Sequence, residues 1–153
     1  MHNLYLLIKK IYSQWEFKFF PAYRLRKSGA RVGKNIFFGD WVYVELENAK
    51  YLEIEDEVVL SAFSKIILHD SSLFNTANGE VKYGKVVLKK NCYLGANTLV
   101  LPNTEVGENT IIGAGSLLKG KYLANSVYAG VPAKYLYSLS EMKKRWTKPS
   151  QSD

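Results

Sequence analysis

From Leu88 onward an aliphatic residue returns at every sixth position without a miss: Leu88, Leu94, Val100, Val106, Ile112 and Leu118. Four positions after each of the first five stands a small side chain, in turn Cys92, Thr98, Thr104, Thr110 and Ser116, and glycine directly follows the repeat residue at Gly95, Gly107 and Gly113. The same frame runs upstream through Val32, Phe38 and Val44, and again through Ile54, Leu60 and Ile66. A period of six fits neither the 3.6-residue turn of an α-helix nor the longer spacing of a hairpin array. It fits a parallel β-helix, in which each hexapeptide is a short strand plus a corner. The aliphatic residue points into the prism, the small residue packs where a large one has no room, and glycine is expected to give backbone freedom at the corners. Three hexapeptides close one triangular coil, so the groups of three predict roughly four coils stacked into a continuous aliphatic column.

The frame breaks twice. Val44 and Ile54 are ten residues apart, which places about four extra residues near Glu47–Lys50. Ile66 and Leu88 are twenty-two apart, which places about sixteen extra residues between Ser72 and Val87. Insertions leave a β-helix at its corners and build its functional face. His69 stands just ahead of the larger one, in Ile-Leu-His-Asp-Ser-Ser, and the only other histidine is His2.

The two ends follow other rules. Leu4, Leu7, Ile8, Ile11, Tyr12 and Trp15 follow helical spacing and predict an amphipathic helix. Ser138-Leu139-Ser140-Glu141 has the form of a capping box and predicts a short helix through Met142–Trp146. The expected organisation is an N-terminal helical arm over 1–29, a β-helix over 30–136 carrying an insertion at 72–87, and a C-terminal helix and tail over 137–153.

Charge narrows the partners. The net charge of +7 is concentrated in residues 1–31, which hold seven Lys or Arg against Glu16. The repeat region is nearly neutral, so a nucleic-acid-binding face is not expected. The basic, aromatic arm fits either a cap on the open end of the prism or peripheral contact with an anionic membrane surface. No apolar run approaches the roughly 20 residues that span a bilayer. The single cysteine, Cys92, excludes a disulfide framework within the chain and fits a reducing cytoplasm. It falls in the small inward slot and is expected to be core rather than nucleophile.

The phrases "YLGANTLVLPNTEVGENTIIGAGSLL" and "AGVPAK" within Val86–Lys134 resemble the hexapeptide-repeat acyltransferases, nearest to the sugar O-acetyltransferases that act on galactosides, maltose and bacterial surface polysaccharides. The resemblance covers most of residues 30–136. It implies an all-β, left-handed parallel β-helix, a homotrimer with active sites between adjacent prisms, and acetyl-CoA as co-substrate. It also implies a carbohydrate acceptor and no metal. Left-handedness comes from the resemblance alone, because sheet crossovers are normally right-handed.

The family's general base is a histidine at the end of a coil strand, ahead of a protruding loop, which His69 matches. An unperturbed imidazole, with a pKa near ~6.5, can take a hydroxyl proton at neutral pH. By the same resemblance the backbone N–H of Ala96 is the oxyanion donor. Tyr93 stands where the family commonly has tryptophan and forms an active-site wall of altered shape. The coenzyme would run past Gly95 and the Gly113-Ala114-Gly115-Ser116 turn, with Lys119, Lys121 and Lys134 as contacts for its phosphates. Asp70 is poorly placed to orient His69 if the strand continues, since neighbours point to opposite faces; Glu80 or a backbone carbonyl remains open for that role.

Other functions fit less well. A γ-class carbonic anhydrase shares the architecture but needs three histidines, and no Cys/His cluster offers zinc ligation. A serine acetyltransferase carries a large helical domain that the short arm does not supply. An N-acetyltransferase of a nucleotide-linked amino sugar is the nearest enzymatic alternative. A non-catalytic structural β-helix would need only the inward slots, not the "GAGS" and "AGVPAK" phrases.

Overall fold

The computed structural model describes residues 4, 21–77 and 79–147. The predicted helix at Leu4–Trp15, Leu4 excepted, and the chain from residue 148 lie outside the described residues.

The hexapeptides fold as short strands in chain order. β1 (Arg31–Val32), β2 (Phe37–Phe38) and β3 (Tyr43–Val44) form the first coil. β4 (Leu52–Ile54), β5 (Val59–Leu60) and β6 (Lys65–Ile66) form the second. β7 (His69–Asp70) and β8 (Lys82–Tyr83) then leave the prism. β9 (Val86–Leu88), β10 (Tyr93–Leu94) and the start of β11 (Leu99–Val106) make the third coil. The rest of β11, β12 (Ile111–Ile112) and β13 (Leu117–Tyr122) make the fourth.

Register confirms the inferred frame on all three faces. On the first, Val32, Ile54, Leu88 and Val106 stack in parallel and end on Tyr122. On the second, Phe38, Leu60, Leu94 and Ile112 end on Tyr128. On the third, Val44, Ile66, Val100 and Leu118 stack. Leu60, Leu94, Ile66, Val100, Ile112 and Leu118 are fully buried. Each such aliphatic side chain removed from water contributes about 1.5–3 kcal/mol.

The small slot proves to be both a steric and a hydrogen-bonding position. Ser64, Thr98, Thr104 and Ser116 are buried, and each hydroxyl donates to the carbonyl three residues back, at 2.6, 2.5, 2.7 and 2.6 Å. The hydroxyl therefore pins the corner that it follows and is itself satisfied. Cys92 fills the same slot, and burial pushes its thiol up to about 12. The thiolate is the reactive form, so native protein is expected to resist an aromatic disulfide reagent, releasing one equivalent of chromophore per chain only after denaturant is added.

The glycine expectation is corrected. Gly95 and Gly107 do not sit at positive φ. A Cβ on either would lie 2.5 Å from a backbone nitrogen of the next coil, that of Ala114 or Ala124. Glycine is there because two backbones touch. The left-handed backbone conformation falls two residues later, at Asn35, Asn91, Asn97, Asn103 and Asn109, with φ from 54 to 62°. Asparagine tolerates that region better than other side chains. Along one edge it also joins the coils, because Asn91 donates to Asn109 at 2.8 Å and Asn109 donates to Asn125 at 3.0 Å.

Both ends of the column are closed. Below, a helix over Pro21–Lys27 buries Leu25, and Arg26 donates to the first-coil carbonyls of Val32 and Gly33. Above, the fourth coil is two residues short, so Tyr122 and Tyr128 replace aliphatics as the inward residues. Their hydroxyls accept from the N–H groups of Lys119 and Leu123, each at 3.0 Å. A tyrosine ring fills the wide end of the column while its polar tip satisfies an open turn. β14 (Ser126–Gly130) and β15 (Ala133–Ser138) then pair antiparallel across "AGVPAK", covering the last edge of the second face. The expected capping box is present at Ser138 and Glu141, opening a helix over Leu139–Trp146.

Candidate active site

The larger insertion is an ordered finger rather than a loose loop. Leu68 is the last fully buried residue before the chain leaves the prism, and its carbonyl accepts from the returning Gly84 N–H at 3.0 Å. β7 and β8 pair antiparallel between these points, His69 opposite Tyr83 and Asp70 opposite Lys82. A short helix over Ser72–Ala77 forms the tip. The Asp70 carboxylate accepts from Ser72 N–H at 2.9 Å, which holds its carboxyl below the usual carboxylate range. Asp70 is thus engaged in starting the tip helix.

The smaller insertion supplies what orients the histidine. Beyond Val44 the chain makes a 3-10 helix over Leu46–Tyr51, preceded by Glu45, which is 6 % exposed. Glu45 Oε2 accepts from Leu68 N–H at 2.9 Å. Its Oε1 meets both Asn48 Nδ2 and His69 Nδ1. A buried carboxylate is costly unless it is satisfied, and here the backbone, an amide and an imidazole surround it. His69 Nδ1 is shielded from solvent and, among the described residues, has no hydrogen-bonding neighbour besides this contact with Glu45. A proton on Nδ1 facing Glu45 leaves Nε2 as the basic nitrogen.

Neither Glu80 nor a backbone carbonyl takes this role. The signal for Glu45 was present in the repeat itself. Val44 stacks on Ile66, so the residue after Val44 lies beneath the segment leading to His69.

His69, Asp70, Lys82, Leu101, Asn103 and Lys119 line a cavity of about 710 Å³ beside the finger. Of the residues anticipated from sequence, His69, Glu80 and Lys119 therefore meet in one place. The others lie elsewhere on the prism. Tyr93 stands on the outer side of the second face, between Val59 and Ile111, and is 43 % exposed.

Gly95 and Ala96 form the corner after the second face of the third coil, with Gly113, Ala114, Gly115 and Ser116 in the coil above. Gly115 N–H donates to the Ala96 carbonyl at 2.8 Å, and Ala96 N–H has no partner among the described residues. The Ser116 side chain is buried and accepts from Gly130 N–H at 3.2 Å, so the one polar side chain of this turn is turned away from a ligand. Lys121 lies on the first face, 3.8 Å from Glu105, and Lys134 lies on β15 opposite Ala129. Among the described residues, no group of three or more His, Cys, Asp or Glu is placed to hold a metal ion. No described helix is long and apolar enough to cross a membrane.

Chemically, the arrangement offers a histidine whose Nδ1 faces a buried carboxylate and whose side chain lines the cavity. An imidazole so placed can do proton-transfer chemistry. It stands on a β-helix whose corner turns present unengaged backbone N–H groups.

Comparison with known proteins agrees with the repeat. The profile of bacterial transferase hexapeptide (six repeats) matches residues 85–120. A protein of Escherichia coli strain K12 named as a lipopolysaccharide biosynthesis O-acetyl transferase, WbbJ, is 28% identical over 128 residues, covering 74% of this chain and 65% of its own. The galactoside O-acetyltransferase of Lactococcus lactis is 31% identical over 110 residues, covering 65% of this chain and 51% of its own. The chain thus spans about two thirds and one half of the lengths of these relatives. Among solved structures, the N-acyltransferase AntD of Bacillus cereus, in complex with dTDP and 3-hydroxybutyryl-CoA, superposes with a TM-score of 0.58. It is 21% identical and covers 81% of this chain and 82% of its own. Repeat and register are thus similar to those of the bacterial transferase hexapeptide proteins, whose profile matches the third and fourth coils over residues 85–120.

Proposed function

We propose that this protein transfers an acetyl group from acetyl-CoA to a carbohydrate hydroxyl, in the biosynthesis of a surface polysaccharide or related glycan. The observation that carries the reading is His69, held through Nδ1 by buried Glu45 and open to the cavity. The O-acetyltransferase names among the relatives support the acceptor class, and the thioester bound by AntD supports the donor class.

In this reading the acceptor oxygen attacks the thioester carbonyl as its proton passes to His69 Nε2. Glu45 steadies the imidazolium that forms. The tetrahedral oxyanion takes a hydrogen bond from Ala96 N–H, which stabilises charge where it develops. The C–S bond then breaks, and the imidazolium returns its proton to the departing thiolate. The products are free coenzyme A and the acetylated sugar, with no covalent acyl-enzyme.

The coenzyme would follow Gly95 and Gly113–Ser116, with Lys119, Lys121 and Lys134 near its phosphates and Tyr93 as a wall. Within one chain His69 and the Ala96 corner do not line the same cavity. A homotrimer of left-handed prisms, with each site built between neighbours, would unite them.

The test is release of thiol from acetyl-CoA with a panel of sugars and nucleotide-linked amino sugars. Hydroxyl acetylation, located by mass spectrometry, upholds the reading. Turnover on an amino sugar alone selects N-acetylation, and no turnover together with no thermal shift by coenzyme A would leave a scaffold. Glu45→Gln keeps an acceptor for Leu68 N–H but removes the charge that fixes His69. Its kcat is expected to fall roughly 10²-fold, as misoriented groups do, with the thermal midpoint little changed in a dye-binding melt.

A further inference from the structure

The two insertions meet a second time, through a pair of tyrosines. Tyr51 ends the 3-10 helix that follows Glu45, and Tyr83 ends β8. Their rings stack with centroids 5.4 Å apart and planes at 18°. Tyr83 also stands directly across the β7–β8 ladder from His69, with ring centroids 6.2 Å apart and planes at 39°. On the far side, Lys50 Nζ lies 5.1 Å from the Tyr51 centroid. The row therefore runs Lys50, Tyr51, Tyr83, His69, and ends at the base.

Packing alone does not explain this row. The tyrosines that serve packing, Tyr122 and Tyr128, are 6 and 7 % exposed, and their hydroxyls hold backbone N–H groups. Tyr83 is 48 % exposed, and its hydroxyl has no partner among the described residues. Side chains alternate along a strand, so the β7–β8 ribbon has two characters. Asp70 and Lys82 form one cross-strand pair, and His69 and Tyr83 form the other. His69 lines the cavity together with Asp70 and Lys82, and the second pair sets a half-exposed ring beside it, next to the group that accepts the proton.

We propose that Tyr83, held flat by Tyr51, is the platform on which the pyranose ring of the acceptor rests. A pyranose has a face of C–H bonds and a rim of hydroxyls. The C–H face carries slight positive charge and suits the negative face of an aromatic ring. The rim then projects toward His69, one ring away. A ring already locked by its neighbour loses little conformational freedom on binding. The platform selects cyclic acceptors over small open-chain hydroxyl compounds. This inference rests on the carbohydrate reading given above.

The test compares wild type, Tyr83→Ala and Tyr83→Phe in steady-state assays with acetyl-CoA and the best sugar from the panel. For Tyr83→Ala the acceptor KM is expected to rise about 2- to 10-fold, the size of one aromatic contact. The KM for acetyl-CoA stays the same, and Tyr83→Phe remains near wild type. An unchanged acceptor KM, or a fall in kcat alone, would overturn the platform and make Tyr83 a support for His69. If Tyr83→Ala does not fold, Tyr83→Leu keeps apolar bulk without a π face and is read the same way. If wild type acetylates no sugar, the acetyl-transfer reading falls, and saturation-transfer NMR with methyl galactoside and maltose decides the platform separately. Transfer from aromatic protons to the sugar C–H groups that disappears in Tyr83→Ala upholds it, and its absence in wild type refutes it.

Discussion

His69→Ala is expected to lower kcat by about 10²–10⁴, the usual contribution of a positioned general base. Binding of coenzyme A should be unchanged in a thermal-shift titration, because the residue removed acts on the acceptor proton. The fold should survive. Glu45 would lose one neighbour but keep the Leu68 N–H and Asn48 contacts, so its buried carboxylate would not be left bare. Full turnover by His69→Ala with the best acceptor would remove His69 from the mechanism, and Glu45 with it.

The second large effect concerns stability. Leu94 is fully buried at the middle of the second face, between Leu60 below and Ile112 above. Leu94→Ala should cost about 2–5 kcal/mol in urea unfolding, through lost transfer energy and a cavity that stacked backbones cannot collapse to fill. Lys65→Ala, on an exposed outward position of the third face, should change stability by no more than about 0.5 kcal/mol. Each coil is held mainly by its neighbours, so a gap in the middle of the stack weakens contacts on both sides. Equal effects at Leu94 and Lys65 would contradict the column as drawn.

Much of this architecture was legible because a β-helix is nearly one-dimensional. Residues six apart share a role, and residues about eighteen apart touch, so the frame that named Leu94 as inward also named its neighbours Leu60 and Ile112. What broke the frame was harder to read. Tyr122 and Tyr128 were missed as inward residues because the fourth coil drops two positions, and a strict sixfold count then points to the wrong side chains. Asn91, Asn97, Asn103 and Asn109 also recur every six residues. Their corner role was overlooked because Gly95 and Gly107 offered a more familiar explanation, one that the spacing between coils corrects.

The candidate site divides in the same way. His69 could be singled out from the sequence because it precedes the largest interruption of a regular pattern. The residue that holds it could not be chosen by local rules. Glu45 and His69 are twenty-four positions apart, each just ahead of a different insertion, and the carboxylate reaches Nδ1 only because the first coil stacks beneath the second. Tyr51 and Tyr83 meet for the same reason. The sequence alone determined the period, the inward column and the place where chemistry leaves the prism, since each is a property of spacing along the chain. The tertiary structure decided which acid faces the histidine, which rings stand beside it and which turns stay open, because those depend on how insertions of unequal length fold back across neighbouring coils.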